Sequence, residues 1–308
     1  MKIVFFCPPV SVINGGIKHI FRMAEALIEQ GRQAVIFEQN GQRPAWFEST
    51  APVVGQGAIN LSENCVFVLP EDQPHILSDF SKLPQRKVIY SQNHFYGALG
   101  IASAESYADY GVTDILCSSR TIYEHCKIRH PQIRAHVIPC SVDRDIFKPA
   151  PVKTDIIAYM PRKRPVEAAY IRDMFKFQHP RFKEWQWREV ANVSESQAAK
   201  MLGEARVFLS LSRLEGLGLT PLEAMASGCI VAGFTGIGGR EYASPENGFW
   251  AGEDDFPACI DALARAADLS THEKETVQNH QHNCDKTLAS YTPATFRQSI
   301  KEAWNSIV

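Results

Sequence analysis

At 308 residues the chain is about twice a common domain length, and 32 Lys and Arg against 34 Asp and Glu leave a formal net charge of −2. That balance excludes a global field of the kind that holds a protein on nucleic acid or an anionic membrane, so any phosphate binding has to be local. Eight cysteines are scattered without a C-x-x-C pair, which argues against a structural zinc site and suits the reduced thiols of a cytoplasmic protein.

The opening KIVFFC (2–7) is a short apolar run stopped by Pro8 and Pro9, with no small-residue cleavage site after it. It is expected to be a first buried strand and not a signal peptide. A loop ending in Gly15 and Gly16 follows, then Ile17, Ile20, Phe21, Ala24, Leu27 and Ile28 at helical spacing, Gly31 as a helix stop, and QAVIFE (33–38). This is a β-α-β unit, and it makes the first half a parallel, doubly wound sheet. Residues 40–64 show no clear period. Further buried strands are expected at 65–70, 87–92, 114–119 and 135–140, and the proline-containing stretch 143–155 reads as an interdomain connection.

The pattern then restarts: a strand at 155–160, a helix over 166–177, a short strand at 185–190, a helix over 194–205 opened by the capping box Ser194-x-x-Gln197, and a strand at 207–212. A helix from Pro221, capped by Thr220 and ending at Gly228, leads into a strand at 229–234. Thr292 and Pro293 open a last helix with Phe296, Ile300, Ala303, Trp304 and Ile307 on one stripe. Trp185 and Trp187 are expected to pack. No apolar stretch approaches the roughly 20 residues of a membrane-spanning helix.

The chemistry concentrates in SRLEGLGLTPLEAMASG (212–228), where Glu215 and Glu223 flank a glycine turn that runs into a helix. Such a turn lies at the carboxyl edge of a parallel sheet, where α/β folds bind ligands, and helix N–H groups there favour a phosphate. Carboxylates beside an anion site suit hydroxyl donors such as those of a sugar. A plainer alternative stands beside this: Thr220-x-x-Glu223 is itself a capping box, and Glu215 can be a solvated turn residue.

EGLGLTPLEAMASG resembles the E-x7-E motif of the family-four retaining glycosyltransferases, whose GT-B architecture sets two Rossmann-like domains around a cleft. KIVFFCPPVSVINGGIKHIFRMAEALIEQGRQAVIF, DILCSSRTIYEHC, VIPCSVDRDIFKP and GREYASPENGFW are similar to further segments of that family, so the resemblance spans nearly the whole chain. PCSVD departs from the family's usual PNGVD.

The resemblance implies an acceptor domain over 1–149, a nucleotide-sugar donor domain over 150–290, and a helix over 291–308 that crosses back to the first domain. It implies that Glu223 binds the ribose hydroxyls and Glu215 the donor sugar, with N–H groups around Gly218, Leu219 and Thr220 facing the sugar and diphosphate. Arg162 and Lys163 would neutralise the diphosphate leaving group without a metal. Because the family's lysine usually follows the arginine at a greater distance, Lys163 and Arg164 stay alternatives for the second cation, and RKR can also be a solvated loop. Gly15 and Gly16 would close over donor phosphates or the acceptor, or form an ordinary strand-to-helix turn. His94, in YSQNHFYG, matches a histidine beside the transferred sugar, or it is a structural hydrogen-bonder.

The implied activity is metal-independent hexosyl transfer, with retention, from a nucleotide-diphosphate sugar to a hydroxyl of a glycan or lipid-linked acceptor, in cell-surface polysaccharide synthesis. The sugar nucleotide is a substrate and no cofactor is called for. No nucleic-acid partner is expected. Basic residues of the first domain (Lys18, His19, Arg22, Arg120, His125, Lys127, Arg129, His130, Arg134, His136) leave a peripheral membrane contact open. Two alternatives are a non-catalytic nucleotide-sugar-binding subunit and, more distantly, a dinucleotide oxidoreductase using Glu38, although INGGIKHI lacks G-x-G-x-x-G.

Overall fold

The computed structural model describes residues 1–60, 64–272 and 274–308. Two compact units are formed, Met1–Cys140 together with Ala294–Val308, and Ser141–Pro293. The expected irregular stretch 40–64 lies in part, at 61–63, outside the described residues.

In the first unit, β1 (Lys2–Phe6) leads through an Asn14-capped turn into α1 (Gly15–Glu29), and β2 (Gln33–Phe37) follows. Gly31 adopts φ +79, which lets the chain leave the helix in the left-handed conformation that glycine accepts most readily. A two-residue β3 (Val53–Val54) supplies regular structure inside the stretch that showed no period. Then come β4 (Cys65–Pro70), α2 (Pro74–Ser81), β5 (Arg86–Ser91), the single turn α3 (Gly97–Gly100), β6 (Val112–Cys117), α4 (Arg120–Arg129) and β7 (Arg134–Val137). The sheet is parallel in the order β3-β2-β1-β4-β5-β6-β7. Its central strands are buried on both faces and so read as continuous apolar runs rather than alternating ones.

The second unit holds β8 (Thr154–Tyr159), α5 (Pro165–Gln178), β9 (Gln186–Glu189), α6 (Glu195–Glu204), β10 (Ala205–Glu215), α7 (Leu219–Ala226), β11 (Ile230–Ile237), β12 (Phe249–Ala251), α8 (Phe256–Ser270) and α9 (Lys274–Leu288). The strands form a parallel sheet in the order β12-β11-β10-β8-β9. The Ser194/Gln197 capping box forms in full at α6. Trp185 and Trp187 join the apolar core around Phe175 and Phe182, so their role is packing.

The chain passes between units at Cys140/Ser141, ahead of the expected connection at 143–155. That stretch packs on the second unit: the Ala150 N–H donates to the Gly203 carbonyl at 3.0 Å. The last helix, α10 (Pro293–Ile307), buries Phe296, Ile300, Ala303, Trp304 and Ile307 in the core of the first unit, with Trp304 edge-on to Phe5. Arg32 donates to Asn305, and Arg134 to the Ser306 carbonyl, fastening the helix on both sides. All eight cysteines are free thiols. Among the described residues no helix is long and apolar enough to cross a membrane.

Candidate functional site

In the second unit the candidate residues collect where β8 and β10 end. β10 runs on to Glu215, three residues beyond the expected strand, because its pairing with β11 slips between Ser212 and Glu215 and then resumes as Glu215 opposite Ile237. Leu214 (φ 48) and Ile237 (φ 72) are both left-handed at this bulge. Each costs on the order of 1–3 kcal/mol, a strain that recurs where a backbone is held for function. Gly236 leaves the space that lets the Glu215 side chain pass: a Cβ there would stand 2.9 Å from Glu215 Cγ.

Lys163 lies across this bulge. Its Nζ pairs with Glu215 Oε1 at 2.9 Å and donates to the Arg213 carbonyl at 3.0 Å. Both side chains stay partly open to solvent, so the pair can be prised apart by a ligand at small desolvation cost. Arg162, one residue before, is exposed.

Arg164 resolves the alternative for the second cation against itself. It is 1 % exposed, with its guanidinium over the Phe234 ring, donating to the Ser212 carbonyl, Glu253 and Asp254. Glu253 in turn accepts from the Thr235 hydroxyl at 3.1 Å and the Gly236 N–H at 2.8 Å. A guanidinium so committed ties the ends of β10 and β11 to the loop at 253–254 and is not offered to a diphosphate.

α7 starts two residues earlier than expected. Gly218, at φ 87, is the residue before its first turn, Leu219 and Thr220 are inside it, and Pro221 is the third helical residue. Thr220 is therefore not the cap, and its hydroxyl points to Met160 Sδ at 3.9 Å. The cause is the left-handed glycine, which turns the chain into the helix without a side-chain acceptor of its own. Glu223 is buried at 9 % exposure. Tyr242, buried in GREYASPENGFW, donates its hydroxyl to the Gly218 carbonyl at 2.7 Å and fixes the glycine turn. This fastener was not foreseen, although its segment carried part of the family resemblance.

Gly15, Gly16 and His94 belong to the first unit, at the carboxyl ends of β1 and β5. Gly15 opens α1, and the Gly16 N–H donates to Asn14 Oδ1 at 2.8 Å. A Cβ on Gly16 would collide with Gln92 Oε1, whose amide donates to the Gly16 carbonyl at 2.9 Å. His94 is half-buried, its ring tilted 36° against that of Phe95 and 5.3 Å from His125, and its Nδ1 has no hydrogen-bond partner among the described residues. Burial, with His125 adding to it, lowers its pKa, so the neutral ring prevails near pH 7.

The basic region of this unit is largely spoken for. His19 is buried, and that burial, with Lys18 and Arg22 nearby, takes its pKa down to about 3. His130 meets the Ser106 hydroxyl, His136 meets Asp114, Arg134 bonds Asp114, and Arg129 bonds two carbonyls. Arg120 pairs with Glu124. Glu38, the acidic residue that the dinucleotide alternative needs, is buried with its carboxylate accepting from the N–H groups of Asn40 and Gln42.

Comparison with known proteins decides the family. A model described as "Glycosyl transferases group 1" matches residues 188–283, a range that includes Glu215 and Glu223. An alpha-1,6-glucosyltransferase of Actinobacillus pleuropneumoniae is 30% identical over 233 residues, 72% of this chain and 69% of that protein. The chain belongs to the group 1 glycosyltransferases. Among solved structures, sucrose-phosphate synthase of Thermosynechococcus elongatus superposes with a TM-score of 0.69 at 13% identity, covering 100% of this chain and 99% of that one. Anabaena Alr3699/HepE in complex with UDP-glucose superposes at 0.68 and 12% identity, covering 99% and 100%. Two parallel-sheet α/β units in this group 1 glycosyltransferase thus share the GT-B fold, and the enzyme acts on a sugar donor.

Proposed function

We propose that this group 1 glycosyltransferase moves a hexose, with retention, from a nucleoside-diphosphate sugar to a hydroxyl of a glycan or lipid-linked acceptor. The observation that carries this reading is the Lys163–Glu215 pair set beside the Gly218-led start of α7. Breaking an anomeric bond to phosphate leaves extra negative charge on the leaving diphosphate. Lys163, with Arg162 next to it and the first-turn N–H groups of Leu219 and Thr220, supplies fixed positive charge for that oxygen. Displaced from Lys163 by the incoming diphosphate, the Glu215 carboxylate is free to accept hydroxyl hydrogens of the sugar. Glu223, buried one turn into α7, accepts from ribose hydroxyls.

In the same reading the first unit serves the acceptor: Gly15 and Gly16 let it approach the backbone, and neutral His94 offers a hydrogen bond without repelling a developing oxocarbenium ion. We propose that the reaction needs no metal, since the lysine and the helix N–H groups carry the leaving-group charge. That the structural neighbour Anabaena Alr3699/HepE is seen in complexes with UDP and with UDP-glucose supports a uridine donor as the first to try. The test is incubation with UDP-glucose and other nucleoside-diphosphate hexoses, with and without EDTA, reading nucleoside diphosphate release and the anomeric proton coupling of the product. Release unaffected by EDTA with an α-anomeric product supports the reading. Inversion of the anomeric centre, or an absolute need for added divalent cation, contradicts it. Nucleotide binding with no turnover across broad acceptors would favour the non-catalytic subunit instead.

A further inference from the structure

Glu71, directly after β4, is a carboxylate buried to 6 % exposure and lies outside the family-like segments described above. Its partners come from a different part of the chain. Glu71 Oε1 accepts the N–H groups of Gln92 at 3.0 Å and Asn93 at 2.8 Å, and Oε2 shares the Gln92 N–H at 3.0 Å. Its main chain meets the other end of that segment: Gly100 packs so closely on the Glu71 carbonyl that a Cβ would collide with it, and the same carbonyl accepts the Tyr107 hydroxyl, from beyond the segment, at 3.0 Å. Glu71 therefore fixes the start and the end of segment 92–100, and His94 stands between those two points.

The hold extends to the glycine turn. Gln92, whose N–H Glu71 grips, donates its side-chain amide to the Gly16 carbonyl. Asn93, in turn, accepts the Phe95 N–H on Oδ1 at 3.1 Å, which closes a tight turn around His94. The groups that the proposed function assigns to the acceptor side, His94 and the Gly15–Gly16 turn, are thus joined through one acid that cannot itself reach solvent.

We propose that Glu71 is a positioning residue of the transfer reaction: it sets His94 and the Gly16 turn in register by anchoring segment 92–100 at both ends. This rests on the reading of His94 as a group beside the transferred sugar. A shift of about 1 Å at such a group can cost on the order of 100-fold in rate, which gives a purely positional role a measurable effect. Burial drives the Glu71 pKa up to about 8 against the pull of the two N–H donors, with Asp72 adding slightly to the rise. Near pH 7 the acid is then mostly protonated, and Gln is its closest isostere.

The test uses the full chain and three variants, E71Q, E71D and E71A, with H94N to assign the His94 ring resonances. His94 is titrated by NMR while UDP affinity and the turnover of UDP-glucose are measured on the same samples. The wild type and E71Q are expected to keep His94 below the ordinary histidine value of about 6.5. In E71D and E71A the His94 pKa should climb back toward that value and kcat should fall at least tenfold, with UDP affinity unchanged. E71D keeps the carboxyl group on a side chain one methylene shorter and guards against E71A failing to fold. If His94 titrates identically in E71D and the wild type, or moves with no change in kcat, the positioning role is wrong. A fully active H94N would instead overturn the assignment of His94 while leaving the titration result to judge the Glu71 anchor on its own.

Discussion

At the carboxyl edge of the second unit's sheet, opposite charges sit partly open to solvent around a strained bulge, with a helix opening beside them. At the same edge of the first unit, the equivalent space is fastened by neutral or main-chain hydrogen bonds: Gln92 to Gly16, Glu71 to two backbone N–H groups, and an unprotonated His94. In the proposed reading, one topology serves two kinds of ligand. An edge with a movable ion pair and oriented N–H groups suits a diphosphate, whose charge substitutes for that of Glu215. In the same reading, an edge fastened mainly by neutral groups receives a polyhydroxy acceptor.

Truncation after Pro293 separates the two units most sharply. Trp304, Phe296, Ile300 and Ile307 are buried in the first unit only, so their loss should unfold that unit while the second keeps its melting transition. The single change Trp304→Ala should cost about 3–5 kcal/mol, read as a lower first transition in calorimetry.

Lys163→Ala should lower kcat by about 10²–10³-fold, the size expected when one fixed charge is removed from a developing anion. Arg164→Ala should instead destabilise the second unit by about 3–5 kcal/mol, because Glu253 would keep its place without its buried partner. Equal kinetic effects for the two variants at equal stability would erase the distinction drawn between a ligand-facing and a structural cation.

Glu223→Ala should weaken nucleoside diphosphate binding by about 10–100-fold, the worth of a charged hydrogen bond or two. A separate effect concerns pH and falls on the first unit. His19 is held near pKa 3, below its ordinary value, so the stability it contributes is present above about pH 6.5 and lost as the pH falls toward 3. Glu71 is raised to about 8, so the folded state binds the extra proton and stability falls as the pH rises from about 4.5 to 8. His19→Leu should flatten the acid side of the stability profile of that unit and Glu71→Gln the alkaline side, both measurable as melting temperature against pH.

Strand positions and the restart of the β-α-β pattern were legible because buried parallel strands read as apolar runs and their helices as amphipathic stripes. The glycine turn with two glutamates was legible for a different reason: those residues are contiguous, and their chemistry needs no knowledge of distant contacts. The start of α7 was misplaced by two residues because Thr-Pro is a strong local start signal, and the left-handed Gly218 that overrides it is fixed by Tyr242 from 24 positions away. Arg162, Lys163 and Arg164 are chemically alike in sequence, and contacts to Glu253 and Asp254, 89 and 90 residues on, remove Arg164 from the site. Glu71 was invisible for the same reason: in sequence it is an acid after a strand, and its meaning lies in backbone groups 21 and 22 residues away.

The most direct measurement is calorimetric titration of the wild type and Glu223→Ala with UDP, GDP, ADP, dTDP and NADH in metal-free buffer. Micromolar binding of one nucleoside diphosphate, lost or weakened at least tenfold in the variant at unchanged fold, is the expected result and fixes the ribose at Glu223. Nucleotide affinity that survives Glu223→Ala while only the melting temperature drops would make Glu223 a structural residue of α7 and move the donor site elsewhere.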